Sequence, residues 1–222
     1  DVGCYAPISV PYNENFNGVL NMPAGITYGS LDGEGFISEP DQWETYWSYT
    51  GQDGEQGVIR ATDDTPTRGI TQYLVLPMLE IDSNLDTAVL SFLDQSPDNW
   101  QWSSASYHGI HVAIAEKASN DRSCEVGPDA NGDKLADALP GVNSGYLEVD
   151  SFIGTNSAWE EKLVDLSAYV GDWVCIAFAY RSEYDQEWYV DDISVRGVTL
   201  PPDLVPPTVS EFTPYTLSLI HI

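Results

Sequence analysis

The chain is 222 residues long, is 42% hydrophobic and carries 35 Asp and Glu against 8 Lys and Arg, for a net charge of −27. Such a surface excludes nucleic acid and anionic membrane as partners, because both would be repelled. It suits divalent cations or a saline habitat, and no run approaches the ~18 apolar residues that a membrane span needs.

Residues 1–9 read as the end of an upstream module or a linker. Beyond them helical periodicity is almost absent. Short apolar-alternating runs are separated by Gly, Asp, Asn, Ser and Pro, the pattern of an all-β fold. Strands are predicted at 14–17, 25–29, 44–50, 57–62, 70–81, 86–94, 106–116, 145–152, 158–165, 172–181 and 187–197. The run 172–181 is the clearest. Val174, Ile176, Phe178 and Tyr180 form one face, and Trp173, Cys175, Ala177 and Ala179 the other. Two apolar faces predict a central strand covered on both sides. Leu166 to Gly171 reads as one helical turn ending at the glycine. Residues 198–216 are Pro-rich and read as a linker into a following module, expected to be immunoglobulin-like. Residues 217–222 (LSLIHI) fit nothing around them and back-translate to a transposon mosaic end used in sequencing libraries. They are set aside as an artefact, His221 included.

The chain has three cysteines. Cys175 lies inside a strand run and reads as a buried thiol. Cys4 and Cys124 lie in loop-like sequence and can pair, but an odd count fixes no redox compartment.

The acidic pair Asp191–Asp192 stands inside the last predicted strand. Successive side chains alternate faces, so one of the two must point toward the core or lie at a strand edge. A buried carboxylate is costly unless paired or coordinated, and bases are scarce here. A metal ion is the more available partner. A second acidic loop is Ser30-Leu-Asp32-Gly-Glu34-Gly35, with oxygen side chains at every second position and glycines that permit a tight turn. It can wrap a cation or simply be an Asp-Gly turn. A third is Asp129-Ala-Asn131-Gly-Asp133, within the long irregular stretch 117–144. Its spacing begins like an EF-hand, but Lys134 replaces the required Gly and Pro140 the bidentate Glu. A full EF-hand is excluded and a surface calcium loop remains open.

Trp43, Tyr46, Trp47 and Tyr49 read as core. Asp98-Asn99-Trp100-Gln101-Trp102, with Tyr107 nearby, sits in polar sequence. Flat rings beside Asp and Asn are what a sugar-binding surface needs. The same rings also occur as ordinary sandwich core. For catalysis, Glu148-Val-Asp150 offers two carboxylates of an E-x-D-x-x-E arrangement, but Ile153 stands where the closing Glu belongs. His108 and His111 are three apart in a strand and face opposite sides, which denies them a shared metal. No Cys/His cluster, nucleophile elbow or phosphate loop is present in the sequence.

The segment Pro11-Tyr-Asn-Glu-Asn-Phe16-Asn-Gly18, Trp159, the VDLSAYVG turn and the YVDDISV strand occur in the order and spacing of one family. With Tyr73-Leu-Val-Leu-Pro77 and Ala88-Val-Leu-Ser-Phe92, which look like the family's paired strands, they resemble the choice-of-anchor J domains. Those are relatives of the MAM and cleaved-adhesin domains of large secreted bacterial proteins. The resemblance spans about 10–197 and implies a concanavalin-like jelly roll, an antiparallel β-sandwich with its first and last strands adjacent. It implies binding or adhesion rather than catalysis, and structural calcium (Ca2+) tying the N-terminal strand to the acidic pair. Carried over, the ligands are Asp191 and then Asp192, with Glu14 or the Asn15 and Asn17 amides opposite. Many relatives carry an acidic residue after the phenylalanine where this chain has Asn17. Ser30 likewise replaces the first acidic residue of a comparable Asp/Gly loop in cleaved-adhesin domains. The expected function is a non-catalytic, secreted or cell-surface module, with a glycan or a surface protein as partner and flanking domains in the same chain. A carbohydrate-active or peptidase-associated enzyme and a structural spacer remain as alternatives.

Overall fold

The computed structural model describes residues 6–17, 22–32, 35–37, 43–45, 56–62, 71–97, 106–115, 124, 146–154, 156–181 and 187–200. In chain order the strands are β1 (Ile8–Ser9), β2 (Tyr12–Glu14), β3 (Thr27–Asp32), β4 (Gly35–Ile37), β5 (Trp43–Thr45), β6 (Ile59–Thr62), β7 (Thr71–Val75) and β8 (Leu79–Glu80). There follow β9 (Thr87–Gln95), β10 (Ser106–Ala115), β11 (Leu147–Gly154), β12 (Glu160–Asp165), β13 (Trp173–Arg181) and β14 (Glu187–Val198). A 3-10 turn, Ser167–Tyr169, precedes β13, and Gly171 closes it at φ 93°, as the sequence predicts.

These strands form two sheets. In the first, β13 is central. It pairs with β10, which carries β11 outside it, and on its other side with β7 and β8. Strands β3 and β4 extend the β7 side, and β1 runs parallel to β8. In the second sheet β14 is central, with β9 and β12 on one side and β6, β5 and β2 on the other. The architecture is the expected antiparallel β-sandwich. The pairing of β2 with β14 sets a strand near the start against the last one. The first paired residues, Ile8 and Ser9, already lie within the stretch expected to be linker.

Strand β13 shows why the sheets stack. Val174, Ile176, Phe178 and Tyr180 are buried between the sheets against Leu90, Phe92, Trp188 and Val190. Phe92 meets Phe178 edge-on at 5.0 Å, the arrangement that aromatic quadrupoles favour. The other face, with Cys175, Ala177 and Ala179, packs with Tyr73, Ala113 and Tyr146 in a second apolar cluster. Both faces of the strand are covered, as its sequence implies.

The structure corrects several boundaries and pairings. Within the predicted run 70–81, residues 72–81 follow β13 but the strand is broken between Val75 and Leu79. Pro77 has no N–H to give to a ladder. One residue is inserted there, so the inward positions shift from Leu74 and Leu76 to Leu79 and Ile81. The predicted strand 14–17 ends at Glu14, because Phe16 turns into the left-handed region at φ 51° while burying its ring completely. Strands β7 and β9, which resemble the family's paired strands, lie in different sheets and meet across the core. Cys175 is not a free thiol and Cys124 does not pair with Cys4. Cys124 and Cys175 form a disulfide, with Cα atoms 5.3 Å apart. Strand β13 aims Cys175 at the outer face, where Cys124 packs.

Candidate functional site

The acidic pair sits at a β-bulge. Between Asp191 and Ser194 strand β14 advances three residues while β9 advances two. The inward set therefore changes from Trp188 and Val190 to Ile193 and Val195. Strict alternation, on which the sequence argument rests, fails at this point. Asp192 adopts φ 49° and its N–H donates to Asp191 Oδ1 at 2.8 Å. Asp191 is fully buried. At the same bulge the neighbour of β14 changes from β6 to β2, so three strands meet at the carboxylates.

Register places Glu14 opposite Ile193. A shallow groove of about 440 Å³ opens there, lined by Asn13, Glu14, Asn15, Asp192, Ile193 and Ser194. The Glu14 carboxylate accepts the Phe16 N–H at 3.1 Å, and Asn15 Oδ1 accepts the Asn17 N–H at 3.2 Å. Burial, then the Glu14 carboxylate, pushes the Tyr12 phenol well above its ordinary pKa. The structure thus brings Glu14, Asn15 and Asp192 together, with Asp191 and Asn17 adjoining in sequence. Every side-chain donor in the groove is oxygen-bearing, which suits a hard cation and no soft one. Among the described residues, no three His, Cys, Asp or Glu side chains are close enough to hold a metal by themselves. An ion here would therefore need amide, hydroxyl or main-chain oxygens as well.

The other expected sites are not joined to this one. Ser30 and Asp32 belong to β3 in the opposite sheet, opposite Ile37 and Gly35 of β4. Their side chains, and Glu34 entirely, lie outside the described residues. So do Asp98, Asn99, Trp100, Trp102, Asp129, Asn131 and Asp133. The backbone of Trp43 is in β5, while Tyr46, Trp47 and Tyr49 are also outside. Tyr107 is the second residue of β10, and its ring lies over Gly109, where a Cβ would collide with it. Its hydroxyl meets His111 Nε2 at 2.9 Å and donates to the Glu148 carboxylate. His111 packs on this outer face with Tyr73, and His108 stacks on Trp188 inside the sandwich. The two histidines face opposite sides as expected.

A polar cluster that the sequence argument overlooks lies inside the sandwich. Asp94 is 1% exposed. Trp188 Nε1–H donates to its Oδ1 at 2.5 Å, and His108 Nδ1 lies 3.4 Å from the same oxygen. Its Oδ2 accepts from Asn156 Nδ2 at 3.1 Å and lies 3.7 Å from Lys162 Nζ. The His108 ring is parallel to the Trp188 indole, 4.2 Å between centroids. Burial works to raise the Asp94 pKa, but His108, Trp188 and Lys162 together outweigh it and hold the carboxyl below its ordinary value. For His108 burial dominates and depresses the pKa despite Asp94, so the ring is neutral at pH 7. A signal was available. Asp94 continues the inward phase of Leu90 and Phe92, and His108 that of Ile110 and Val112. Polar residues at core-phase positions of two strands had to meet something.

A pH dependence follows. Unfolded His108 takes up a proton below its ordinary pKa of 6.5, whereas the folded ring resists until lower pH. Stability is therefore full above 6.5 and is lost as pH falls toward the depressed folded value. Urea midpoints measured at about pH 7 and about pH 5 should fall less for His108→Phe than for the wild type. Equal falls would show that His108 titrates alike in both states.

No family model matches the chain, and no curated protein matches it. Solved structures do. The K3 Cleaved Adhesin domain of Lys-gingipain from Porphyromonas gingivalis aligns at 16% identity and TM-score 0.51, covering 83% of this chain and 98% of that one. The K1 domain of the same protein aligns at 15% identity and TM-score 0.50, covering 84% and 98%. A Family 11 Carbohydrate-Binding Module from Clostridium thermocellum, in complex with a β-1,3-1,4-mixed-linked tetrasaccharide, aligns at 17% identity and TM-score 0.49, covering 85% and 95%. At these identities the two adhesin domains share the fold with this chain.

Proposed function

We propose that this chain is a non-catalytic binding or adhesion module of the choice-of-anchor J kind, from a secreted or cell-surface bacterial protein. In this reading calcium fastens the N-terminal strand to the bulge in β14. The observation that carries it is the Glu14–Ile193 pairing, which sets an oxygen-bearing strand end against Asp191 and Asp192. Glu14, Asp192 and the Asn15 amide, with Asp191 beneath them, would hold the ion. Bound there, it would offset carboxylate repulsion at the join of three strands. The fold shared with adhesin domains agrees with a binding role. The Cys124–Cys175 disulfide agrees with an oxidising compartment. The Glu148 carboxylate accepts from Tyr107, and Asp150 Oδ1 accepts the Ser151 N–H at 2.8 Å, so both have structural partners, which favours binding over glycoside cleavage. A glycan or a surface protein is the ligand class, with Trp100 and Trp102 as the sequence-based candidates for its contact.

Thermal unfolding tests the ion. A cation that binds only the folded chain stabilises it by about 2.7 kcal/mol at a hundredfold excess over Kd. The Tm should rise saturably with calcium and not with sodium at equal ionic strength. Glu14→Gln and Asp191→Ala should each blunt the rise, while in chelator Glu14→Gln keeps the wild-type Tm. A flat calcium response would remove the ion from this reading and leave the acidic residues as a salt-adapted coat.

A further inference from the structure

The two oxygens of Asp94 serve different groups. Trp188 and His108 engage Oδ1 and fix the carboxylate in place. Oδ2 is turned toward an amine and a carboxamide, Lys162 Nζ at 3.7 Å and Asn156 Nδ2 at 3.1 Å. Asn156 is further held by donating to the Asp94 and Ala158 main-chain carbonyls at 3.0 and 3.3 Å. The Lys162 ammonium lies 5.3 Å from the Phe152 ring centroid, so its inner side is apolar. An amine and a carboxamide that share one buried carboxylate oxygen are the reactants of an amide exchange, with a proton carrier between them.

We propose that Lys162 and Asn156 join in an intramolecular isopeptide bond, with Asp94 carrying the protons. The balance is closed. Asp94 takes a proton from the Lys162 ammonium, and the freed lone pair on Nζ attacks Cγ of Asn156. The Nζ–Cγ bond forms and the Cγ–Nδ2 bond breaks. Two protons leave Nζ in all, and both end on Nδ2, which departs as ammonium. Asp94 returns to the carboxylate it was. No oxidant, metal or cofactor is consumed. Fixed proximity is what makes a weak electrophile such as a carboxamide reactive, because the attack becomes intramolecular. Asp94 is 1% exposed, so its carboxylate faces these two side chains rather than bulk solvent. Glu160 Oε2 also holds the ammonium, at 2.8 Å on the exposed side. The reaction therefore starts when Lys162 leaves Glu160 for Asp94.

The intact mass of the reduced full chain decides the matter, with sequencing of its proteolytic fragments. The expected result is a species lighter than its sequence by one ammonia, and a branched peptide joining Lys162 to Asn156. Lys162→Arg keeps the charge and should restore the full sequence mass, as should Asn156→Ala. Full sequence mass in the wild type would overturn the proposal. So would an ammonia loss that persists in Lys162→Arg, which would mean backbone cyclisation at Asn156. A loss of one water with Lys162 joined to Asp94 would also overturn it, since Asp94 would then be the acyl partner.

Discussion

Asp94→Ala is expected to destabilise the sandwich by about 1–3 kcal/mol, the usual cost of leaving a buried donor without its acceptor. The reason lies in what stays behind. Trp188 Nε1–H loses its 2.5 Å acceptor in a position with no exposure. Such an orphaned donor bears its full desolvation penalty. The neutral His108 ring loses the carboxylate that faces its Nδ1. Lys162 keeps Glu160, and Asn156 keeps the Asp94 and Ala158 carbonyls. The loss is thus concentrated on the Trp188 side of the cluster. Asp94→Asn should cost less, because a carboxamide oxygen can still accept from the indole. A urea titration near neutral pH reads both values from the shift in midpoint at unchanged slope. A loss of less than about 1 kcal/mol for Asp94→Ala would show that the cluster contributes little net stability.

The same cluster marks the limit of what the sequence discloses. The sandwich class was legible because it rests on alternation, and β13 alternates without a slip from Trp173 to Tyr180. Gly171 announced its turn through its freedom at φ 93°. Apart from the strand end at Glu14, set by the local turn at Phe16, the misplaced features come from one-residue insertions or from long-range partners. Alternation cannot reveal that the inward phase slips at Pro77 and again at Asp191–Asp192, because each slip is set by the neighbouring strand. The second slip falls at the acidic pair that the sequence singles out, and Glu14, named through the family resemblance, pairs with Ile193 beside it. The bulge that makes room for both carboxylates was not legible. Pairing among three cysteines is likewise a matter of three-dimensional proximity. Cys175 resembled a buried thiol because burial and disulfide bonding look alike in a strand. The Asp94–His108–Trp188 association joins β9, β10 and β14 and has no local signature beyond a polar residue in an apolar phase.

Opening the Cys124–Cys175 bridge is expected to remove about 4 kcal/mol, the loop-closure term for a cross-link of this span. The two cysteines are 51 residues apart, and between them lie β11, β12 and the 3-10 turn. Without the bridge the unfolded chain regains the freedom of that whole segment. The native state loses a specific piece of cover as well. Small side chains at Cys175, Ala177 and Ala179 leave a shallow outer face on β13, filled by the Tyr73 and Tyr146 rings. Tyr146 is 1% exposed and donates its hydroxyl to the Cys124 carbonyl at 3.0 Å. Freeing Cys124 therefore loosens the acceptor that positions Tyr146. The inter-sheet core is a separate cluster on the opposite face of the same strand and should persist. The expected outcome is a lower urea midpoint after reduction, matched by a Cys124→Ala, Cys175→Ala double variant. Hydrogen exchange should quicken first around Tyr146 and only later in Val174 to Tyr180. Equal stability of oxidised and reduced chains would mean that packing alone holds the outer cover on β13. Simultaneous loss of protection in both clusters would mean that the two faces of that strand unfold as one unit.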